Sequence, residues 1–140
     1  MRKQRLNIFE TNSSSTNCLI LGDVQDNYNI PETLSLYDLC DGRDFEYRDP
    51  DSRFSVLASL CDRTPDFLYL CYKVQEFGVK NIIFNNIRPY SDCTEINIGN
   101  WEIDYEERQE ILSYLNDDNL LKAWLFSPGS EISGEDDDNY

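Results

Sequence analysis

The chain has 140 residues, which suits one compact domain, and its 40% apolar and 13% aromatic residues are enough for a hydrophobic core. The 27 acidic and 12 basic residues give a net charge of −15, which argues against binding of DNA, RNA or anionic membranes through general electrostatic attraction. The surplus lies in the body of the chain, because residues 1–16 carry +2 and the remaining 124 residues carry −17.

The first third of the chain predicts two strands followed by an acidic connection. RLNIF (5–9) and NCLIL (17–21) are short apolar runs typical of strands, with ETNSSST between them. Residues 23–51 contain nine acidic residues, so we expect helical or irregular pieces there. Only LSLYDL (34–39) has convincing apolar content in this part.

Two helices are predicted next. In SRFSVLASLC (52–61) apolar residues recur at i, i+3, i+4 and i+7, and Asp51 or Ser52 is the expected cap. TPDFLYLCYKVQEFG (64–78) repeats this pattern, and Gly78 is expected to end the helix in the left-handed conformation.

Strands are predicted after these helices. VKNIIF (79–84) has the composition of a strand, and TEINIGNWEI (94–103) predicts a hairpin around the two-residue turn Gly99-Asn100.

A third helix is predicted over DYEERQEILSYLNDD (104–118). Asp104 and Glu107 have the spacing of a capping box, and three apolar side chains are expected to face inward: Tyr105, Leu112 and Leu115. The final apolar segment, LLKAWLF (120–126), is compatible with a strand or a helix.

This order of elements predicts an α+β fold: a small, mainly antiparallel sheet with about three helices packed on one side. We expect a single domain over residues 1–127. Residues 128–140 are acidic and poor in packing residues, so they are predicted to form a disordered tail.

The polar side chains offer few signs of catalysis. The chain lacks histidine, the commonest general base, so we expect no enzyme and no catalytic residue. The cysteines lack the CxxC spacing of a zinc site, and the acidic runs lack the spacing of a calcium loop, so no metal or cofactor is expected. The five cysteines, predicted as reduced and mostly buried, are Cys18, Cys40, Cys61, Cys71 and Cys93.

No segment of the sequence predicts a membrane association. No apolar run approaches the roughly 18 residues of a spanning helix, and polar residues follow Met1–Arg5 where a signal peptide would have its apolar core. We therefore expect a cytoplasmic protein.

The hydroxyl-rich connection between the first two predicted strands leaves two interpretations open. Consecutive amides and hydroxyls can bind an anion, so one alternative is a small enzyme or a phosphate- or ligand-binding domain that uses this loop. The other is a turn shaped by bonds from side chains to the backbone, since Walker and dinucleotide-binding glycines are absent. The loop residues are Thr11, Asn12, Ser13, Ser14, Ser15 and Thr16.

RLNIFETNSSSTNCL (5–19) resembles an N-terminal motif, roughly R-x-N-V-F-E-T-N-S-S-S-[ST]-H-S-L, of small proteins from phages and mobile elements of Gram-positive bacteria. Asn17 stands where that motif has His, and Cys18 where it has Ser. The resemblance implies a bacterial host cytoplasm and a family-specific corner or recognition element, without implying an activity. By analogy, small acidic phage proteins without histidine resemble inhibitors of host defence, including anti-CRISPR proteins and restriction inhibitors.

The leading hypothesis is therefore a DNA mimic that binds the basic nucleic-acid groove of a host defence nuclease, with a CRISPR effector as the expected partner. Carboxylates on neighbouring helical turns lie ~6 Å apart and could replace phosphates, which recur every ~3.4 Å per DNA strand. A surface that is acidic only for solubility is the competing interpretation. The predicted partner-binding residues are Glu95, Glu102, Asp104, Glu106, Glu107 and Glu110.

Overall fold

The computed structural model describes residues 4–10, 15–37, 39, 45–61, 64–85 and 103–136. The strands are β1 (Gln4–Glu10), β2 (Ser15–Leu21), β3 (Thr33–Tyr37), β4 (Phe45–Tyr47), β5 (Asn81–Asn85) and β6 (Glu131–Asp136). The helices are α1 (Pro50–Leu60), α2 (Thr64–Phe77), α3 (Tyr105–Ser113) and α4 (Asp118–Phe126), with a 3₁₀ turn, Tyr114–Asn116, after α3. The predicted α+β class is confirmed, with four α-helices in these residues where about three were expected.

Four of the strands form one antiparallel sheet in the order β1-β2-β6-β4. The predicted first two strands are confirmed as the neighbours β1 and β2. On the other side of β2, Leu19 is opposite Ile132 of β6, and both side chains are completely buried. This pair connects the beginning of the chain to the region that had been predicted as a tail.

The prediction of a disordered tail is wrong for residues 131–136, because they form β6 between β2 and β4. Burial alternates along this strand: Ile132 and Gly134 are buried, and Glu131 and Ser133 are partly exposed. Gly134 is needed here, since a Cβ at this position would lie 2.6 Å from Cζ of Phe45. The domain therefore continues beyond residue 127, and residues 137–140 lie outside the described part.

A second, smaller sheet pairs β3 with β5 in parallel. The expectation of helical or irregular structure is wrong for 33–37, where Leu34 and Leu36 are fully buried on one face of β3. The intervening Ser35 donates its N–H to Oδ1 of Asp51, at 3.0 Å. Since Asp51 lies in the first turn of α1, this bond positions α1 against the small sheet.

Helix α1 confirms the helix predicted at 52–61, but its cap lies earlier than expected. The N-cap is Asp49, whose carboxylate accepts from the backbone N–H and the hydroxyl of Ser52 at 3.3 and 2.5 Å. Pro50 occupies the first helical position, where its missing N–H costs nothing. The predicted caps, Asp51 and Ser52, are therefore inside the helix.

Helix α2 confirms the helix predicted at 64–78. Gly78 has a φ of 122°, and its N–H donates to the carbonyl of Gln75 at 3.0 Å. Only glycine adopts this conformation without strain, so the chain leaves α2 as the sequence predicts. The strand predicted at 79–84 is β5, and it begins two residues later, at Asn81.

The helix predicted at 104–118 is shorter than expected, because α3 ends at Ser113 and the 3₁₀ turn follows it. The segment predicted at 120–126 as a strand or a helix is helical and belongs to α4. Asp117 caps α4 by accepting from the N–H of Asn119 at 2.9 Å. Residues 94–102 of the predicted hairpin lie outside the described residues.

A buried polar network joins α1 to α4 and to the loop before β6. Arg53, only 1% exposed, donates to the carbonyl oxygens of Ser127 and Ser130, and Trp124 donates from Nε1 to the carbonyl of Arg53 at 3.1 Å. The Ser130 hydroxyl accepts from the N–H of Gly22 at 2.8 Å and donates to the carbonyl of Ala123. We call this set the Arg53 network.

Candidate functional site

Helix α3 carries the acidic residues that the sequence singled out, and a motif residue of β2 fixes where the helix begins. Asn17 is buried, and its Oδ1 accepts from the backbone N–H of Asp104 at 2.9 Å. Asp104 is the N-cap residue, but its side chain makes no capping hydrogen bond. An amide from the sheet thus replaces part of the predicted capping box, and α3 is tied to the sheet at its first turn.

Two of the predicted contact residues form a pair on the outer side of α3. Glu106 is exposed and Glu110 is half-buried, one helical turn further along. We call these two residues the acidic pair. Within the described part of the chain, neither carboxylate forms a salt bridge, so their negative charges remain uncompensated by a neighbouring cation.

Arg108 is the basic residue nearest to the acidic pair in sequence, and it forms a hydrogen bond at the start of α3. Nε of Arg108 donates to the carbonyl of Ile103 at 2.7 Å, which places the guanidinium beside the start of α3. Over residues 103–118 there are six acidic residues and one basic residue. This helix therefore presents a concentrated negative charge.

Glu107 was predicted to contact a partner, and this prediction is wrong because its side chain is completely buried. Two nearby side chains are also fully buried, Ile111 of α3 and Tyr114 of the following 3₁₀ turn. Neither carboxylate oxygen of Glu107 has a hydrogen-bond partner in the residues that the structure describes. Burial, and secondarily the charge of Asp104, raises the pKa of Glu107 to about 7.

Tyr105, two residues before Glu107, is exposed and not buried. Tyr105 was predicted to face inward, but it is 67% exposed. Leu112 and Leu115 are partly buried and pack against the core, as expected. The inward side of α3 therefore begins at Glu107, two residues after the predicted Tyr105, and it includes Ile111 in addition to the predicted Leu112.

The other predicted contact residues have mixed positions. Asp104 is partly buried at the helix start, whereas Glu95 and Glu102 lie outside the described residues. The structure therefore brings together Asp104, Glu106 and Glu110 around α3.

The hydroxyl-rich loop is described only at its end. Ser15 and Thr16 belong to β2, where they are opposite Asp136 and Glu135 of β6. The remaining loop residues lie outside the described part: Thr11, Asn12, Ser13 and Ser14. Both interpretations of this loop stay predictions.

A groove between α2 and α3 was not predicted from the sequence. It has a volume of about 430 Å³. We call it the α2–α3 groove, and its lining residues are Asp66, Tyr69, Leu112, Leu115 and Asn116. On the same helix as Asp66 and Tyr69, Leu68 and Tyr72 are 58% and 59% exposed.

A salt bridge joins α2 to the start of α4 near this groove. Nζ of Lys73 lies 2.7 Å from a carboxylate oxygen of Glu76 and 2.9 Å from one of Asp118. These hydrogen bonds raise the pKa of Lys73. A second ammonium, that of Lys122, lies 5.1 Å from the centre of the Phe77 ring that Lys73 also contacts.

The described cysteines fit a structural role. Cys61 is buried, and Cys18 and Cys71 are partly buried. Burial raises the pKa of the Cys71 thiol to about 11, which disfavours the reactive thiolate. Cys40 and Cys93 lie outside the described residues.

The described residues contain no group of three or more His, Cys, Asp or Glu side chains placed to hold a metal ion.

None of the helices in the described part is both long and apolar enough to cross a bilayer.

Comparison of the chain with known protein families, with curated proteins and with solved structures found no match. The functional argument therefore depends on the chemistry of the surfaces described above.

Proposed function

We propose that this protein is a non-enzymatic inhibitor, encoded by a phage or mobile element, that occupies the basic nucleic-acid groove of a host defence nuclease. A CRISPR effector is the expected target. The observation that supports this most is the acidic pair, Glu106 and Glu110, whose charges no described cation compensates.

A groove that binds nucleic acid displays Lys and Arg to match phosphates. Carboxylates one helical turn apart, with about 6 Å between their Cβ atoms, offer fixed negative charges to such a groove. Arg108 does not neutralise them, because its guanidinium is held at the carbonyl of Ile103. The surplus of acid over residues 103–118 would steer association, making it fast and sensitive to salt.

An exposed aromatic residue adds an anchor to the same helix. Tyr105 precedes Glu106 and is 67% exposed, and tyrosine is enriched among residues that contribute most to protein interfaces. A surface with both carboxylates and an aromatic anchor suits a protein partner with basic and apolar side chains.

The test is charge reversal at the acidic pair, with a matched reversal elsewhere. The Glu106→Lys/Glu110→Lys variant and the Asp26→Lys/Glu32→Lys control both change the net charge from −15 to −11. Asp26 and Glu32 are exposed and lie in the connection between β2 and β3, away from α3 in sequence. The two variants therefore separate a localised surface from the effect of total charge.

The measurement is capture of proteins from a bacterial host lysate by the immobilised chain at low and high salt, with identification of what elutes. We expect a nuclease that elutes with added salt and competes with duplex DNA, retained by the Asp26/Glu32 variant and lost by the Glu106/Glu110 variant. Equal retention by both variants would remove α3 from the proposal, and a captured nuclease that DNA does not displace would remove mimicry.

A further inference from the structure

The first turn of α3 contains a completely buried acid, Glu107. Neither of its carboxylate oxygens has a hydrogen-bond partner among the described residues, and the same is true of the buried hydroxyl of Tyr114. Burial removes the water that stabilises an ionised carboxylate, and no described donor replaces that water. The closed turn therefore accommodates the neutral carboxylic acid much better than the carboxylate.

The charged groups of α3 itself add to this preference. Asp104 and Glu106 are the charges that act on the carboxyl group of Glu107, and both disfavour a second negative charge nearby. Nε of Arg108 donates to the carbonyl of Ile103. Within the described part of the chain, Glu107 forms no salt bridge.

The elements packed against α3 do not direct a described cation at Glu107. Helix α1 has two charged side chains: Arg53 donates to the carbonyl oxygens of Ser127 and Ser130, and Asp51 accepts from the N–H of Ser35. Strand β2 has no Asp, Glu, Lys or Arg. The 3₁₀ turn has one titratable group, the phenol of Tyr114.

Two hydrogen bonds close the turn that buries Glu107. The backbone N–H of Asp104 donates to Oδ1 of Asn17 at 2.9 Å, and the N–H of Arg108 donates to the carbonyl of Asp104 at 3.0 Å. Breaking both would release residues 104–108 from the sheet and expose the carboxyl group to water. The Arg108 N–H bond spans Glu107, so it reports directly on this opening.

We propose that residues 104–108 form a proton-controlled hinge: protonated Glu107 keeps the turn closed, and loss of its proton to water favours an open turn with a hydrated carboxylate. The hinge concerns α3 alone, so it goes beyond the proposed function and does not depend on it.

The direction of the pH dependence follows from the two forms. The pKa of Glu107 is about 7 in the closed turn, and an exposed carboxyl group has the ordinary value of 4.5. Between these values the closed form holds one proton more than the open form. A rise in pH therefore shifts the equilibrium toward the open form.

The hinge has a consequence for the acidic pair. Glu106 lies in the turn that opens, whereas Glu110 lies one turn further along α3. Above neutral pH the spacing of these two carboxylates is no longer fixed. This consequence, unlike the hinge itself, rests on the proposed function.

The test is hydrogen exchange of the Arg108 amide, followed by NMR between pH 5 and pH 7. Protection is the measured rate relative to that of an unstructured chain at the same pH. We expect the protection to fall at least about tenfold from pH 5 to pH 7. An opening of one turn exposes little surface, so urea well below the unfolding midpoint should not accelerate this exchange.

Two single substitutions assign the effect to one carboxyl group. Glu107→Gln keeps the size of the side chain and cannot ionise, so the protection of Arg108 should change by less than about threefold over the same pH range. Glu106→Gln is the matched control, because Glu106 is exposed in the same turn. This control variant should keep the tenfold fall.

The measurement on the unmodified protein needs no substitution and can overturn the proposal alone. A smaller fall in protection would do so, and so would exchange that urea accelerates in parallel with global unfolding. A tenfold fall that persists in Glu107→Gln would also contradict the hinge. No partner is present in these experiments, so their outcome is separate from the lysate capture that tests the proposed function.

Discussion

Two buried charged side chains, Arg53 of α1 and Glu107 of α3, have opposite surroundings. Arg53 donates to the carbonyl oxygens of Asp49, Ser127 and Ser130, so its guanidinium is held in place by several backbone acceptors. Glu107 is equally buried, yet both of its carboxylate oxygens lack a hydrogen-bond partner among the described residues. Backbone carbonyl groups therefore replace the water that the guanidinium of Arg53 loses on burial, whereas no described group does this for the carboxylate of Glu107.

The comparison shows that burial has different effects on the ionisation of these two side chains. Burial lowers the pKa of Arg53 only to about 10, so the group remains charged at neutral pH and connects α1 to the loop before β6. Burial raises the pKa of Glu107 to about 7, so its charge changes within the physiological range. Arg53 therefore connects parts of the fold, whereas the charge of Glu107 is expected to depend on pH near neutrality.

Removing the guanidinium should have the largest effect on stability. Arg53→Met keeps much of the side-chain volume but leaves the carbonyls of Ser127 and Ser130 without a donor. At about 1–3 kcal/mol for each unsatisfied buried group, we expect the free energy of unfolding to fall by about 3–5 kcal/mol, measured by urea denaturation.

The matched control is Arg48→Met, because Arg48 is exposed and forms salt bridges with Glu46 and Glu131 at the surface. Such pairs contribute about 0–1 kcal/mol. Similar losses for the two variants would mean that the Arg53 network contributes little, and the contrast with Glu107 would disappear.

Glu107→Gln should have the next largest effect, and its size should depend on pH. Because the pKa of Glu107 is raised in the folded state, folding favours its protonated form, and its contribution to stability is complete below about pH 4.5. That contribution is lost as the pH rises to about 7. Relative to the variant, the unmodified protein should lose about 2–3 kcal/mol between pH 5 and pH 8.

Urea denaturation of both proteins at several pH values measures this difference, and the comparison cancels the titration of all other groups. Glu106→Gln is the matched control, since Glu106 is exposed on the same turn. Parallel pH profiles for the unmodified protein and the Glu107→Gln variant would show that Glu107 is ionised in the folded protein at pH 5.

Asp104→Asn should produce the smallest effect of the three. The charge of Asp104 is the second cause of the raised pKa of Glu107, after burial. Removing this charge should lower the pKa of Glu107 and move the pH-dependent loss of stability to lower pH without abolishing it. An unchanged midpoint in the same denaturation series would contradict the assigned cause.

The sequence predicted the helices with a regular apolar pattern and a defined end, such as the helix that Gly78 terminates. The sequence-based prediction was wrong in segments where an acid-rich composition indicated a loop or a tail but apolar residues alternated as in a strand. The acid-rich segment 131–136 reads as a tail, but Ile132 and Gly134 alternate with more exposed residues and fit a strand inside the sheet. Strand β3 was missed for the same reason, because acidic residues surround its buried leucines.

The candidate site was predictable in part. The surplus of acid on α3 is visible in the sequence, but the capping-box pattern concealed that Glu107 is four residues before Ile111 and shares its buried face. That spacing was the available signal. The α2–α3 groove depends on how two helices from distant parts of the sequence pack, and no local pattern contains that information.

The position of β6 has a consequence for the order of assembly. In the large sheet β4 pairs only with β6 among the described strands, although β4 precedes β6 by more than 80 residues in the sequence. During synthesis, residues 45–47 must therefore wait for residues 131–136 before they acquire a hydrogen-bonded neighbour. Such long-range closure slows folding and leaves an edge of β2 open to misassociation with other nascent chains until it is complete.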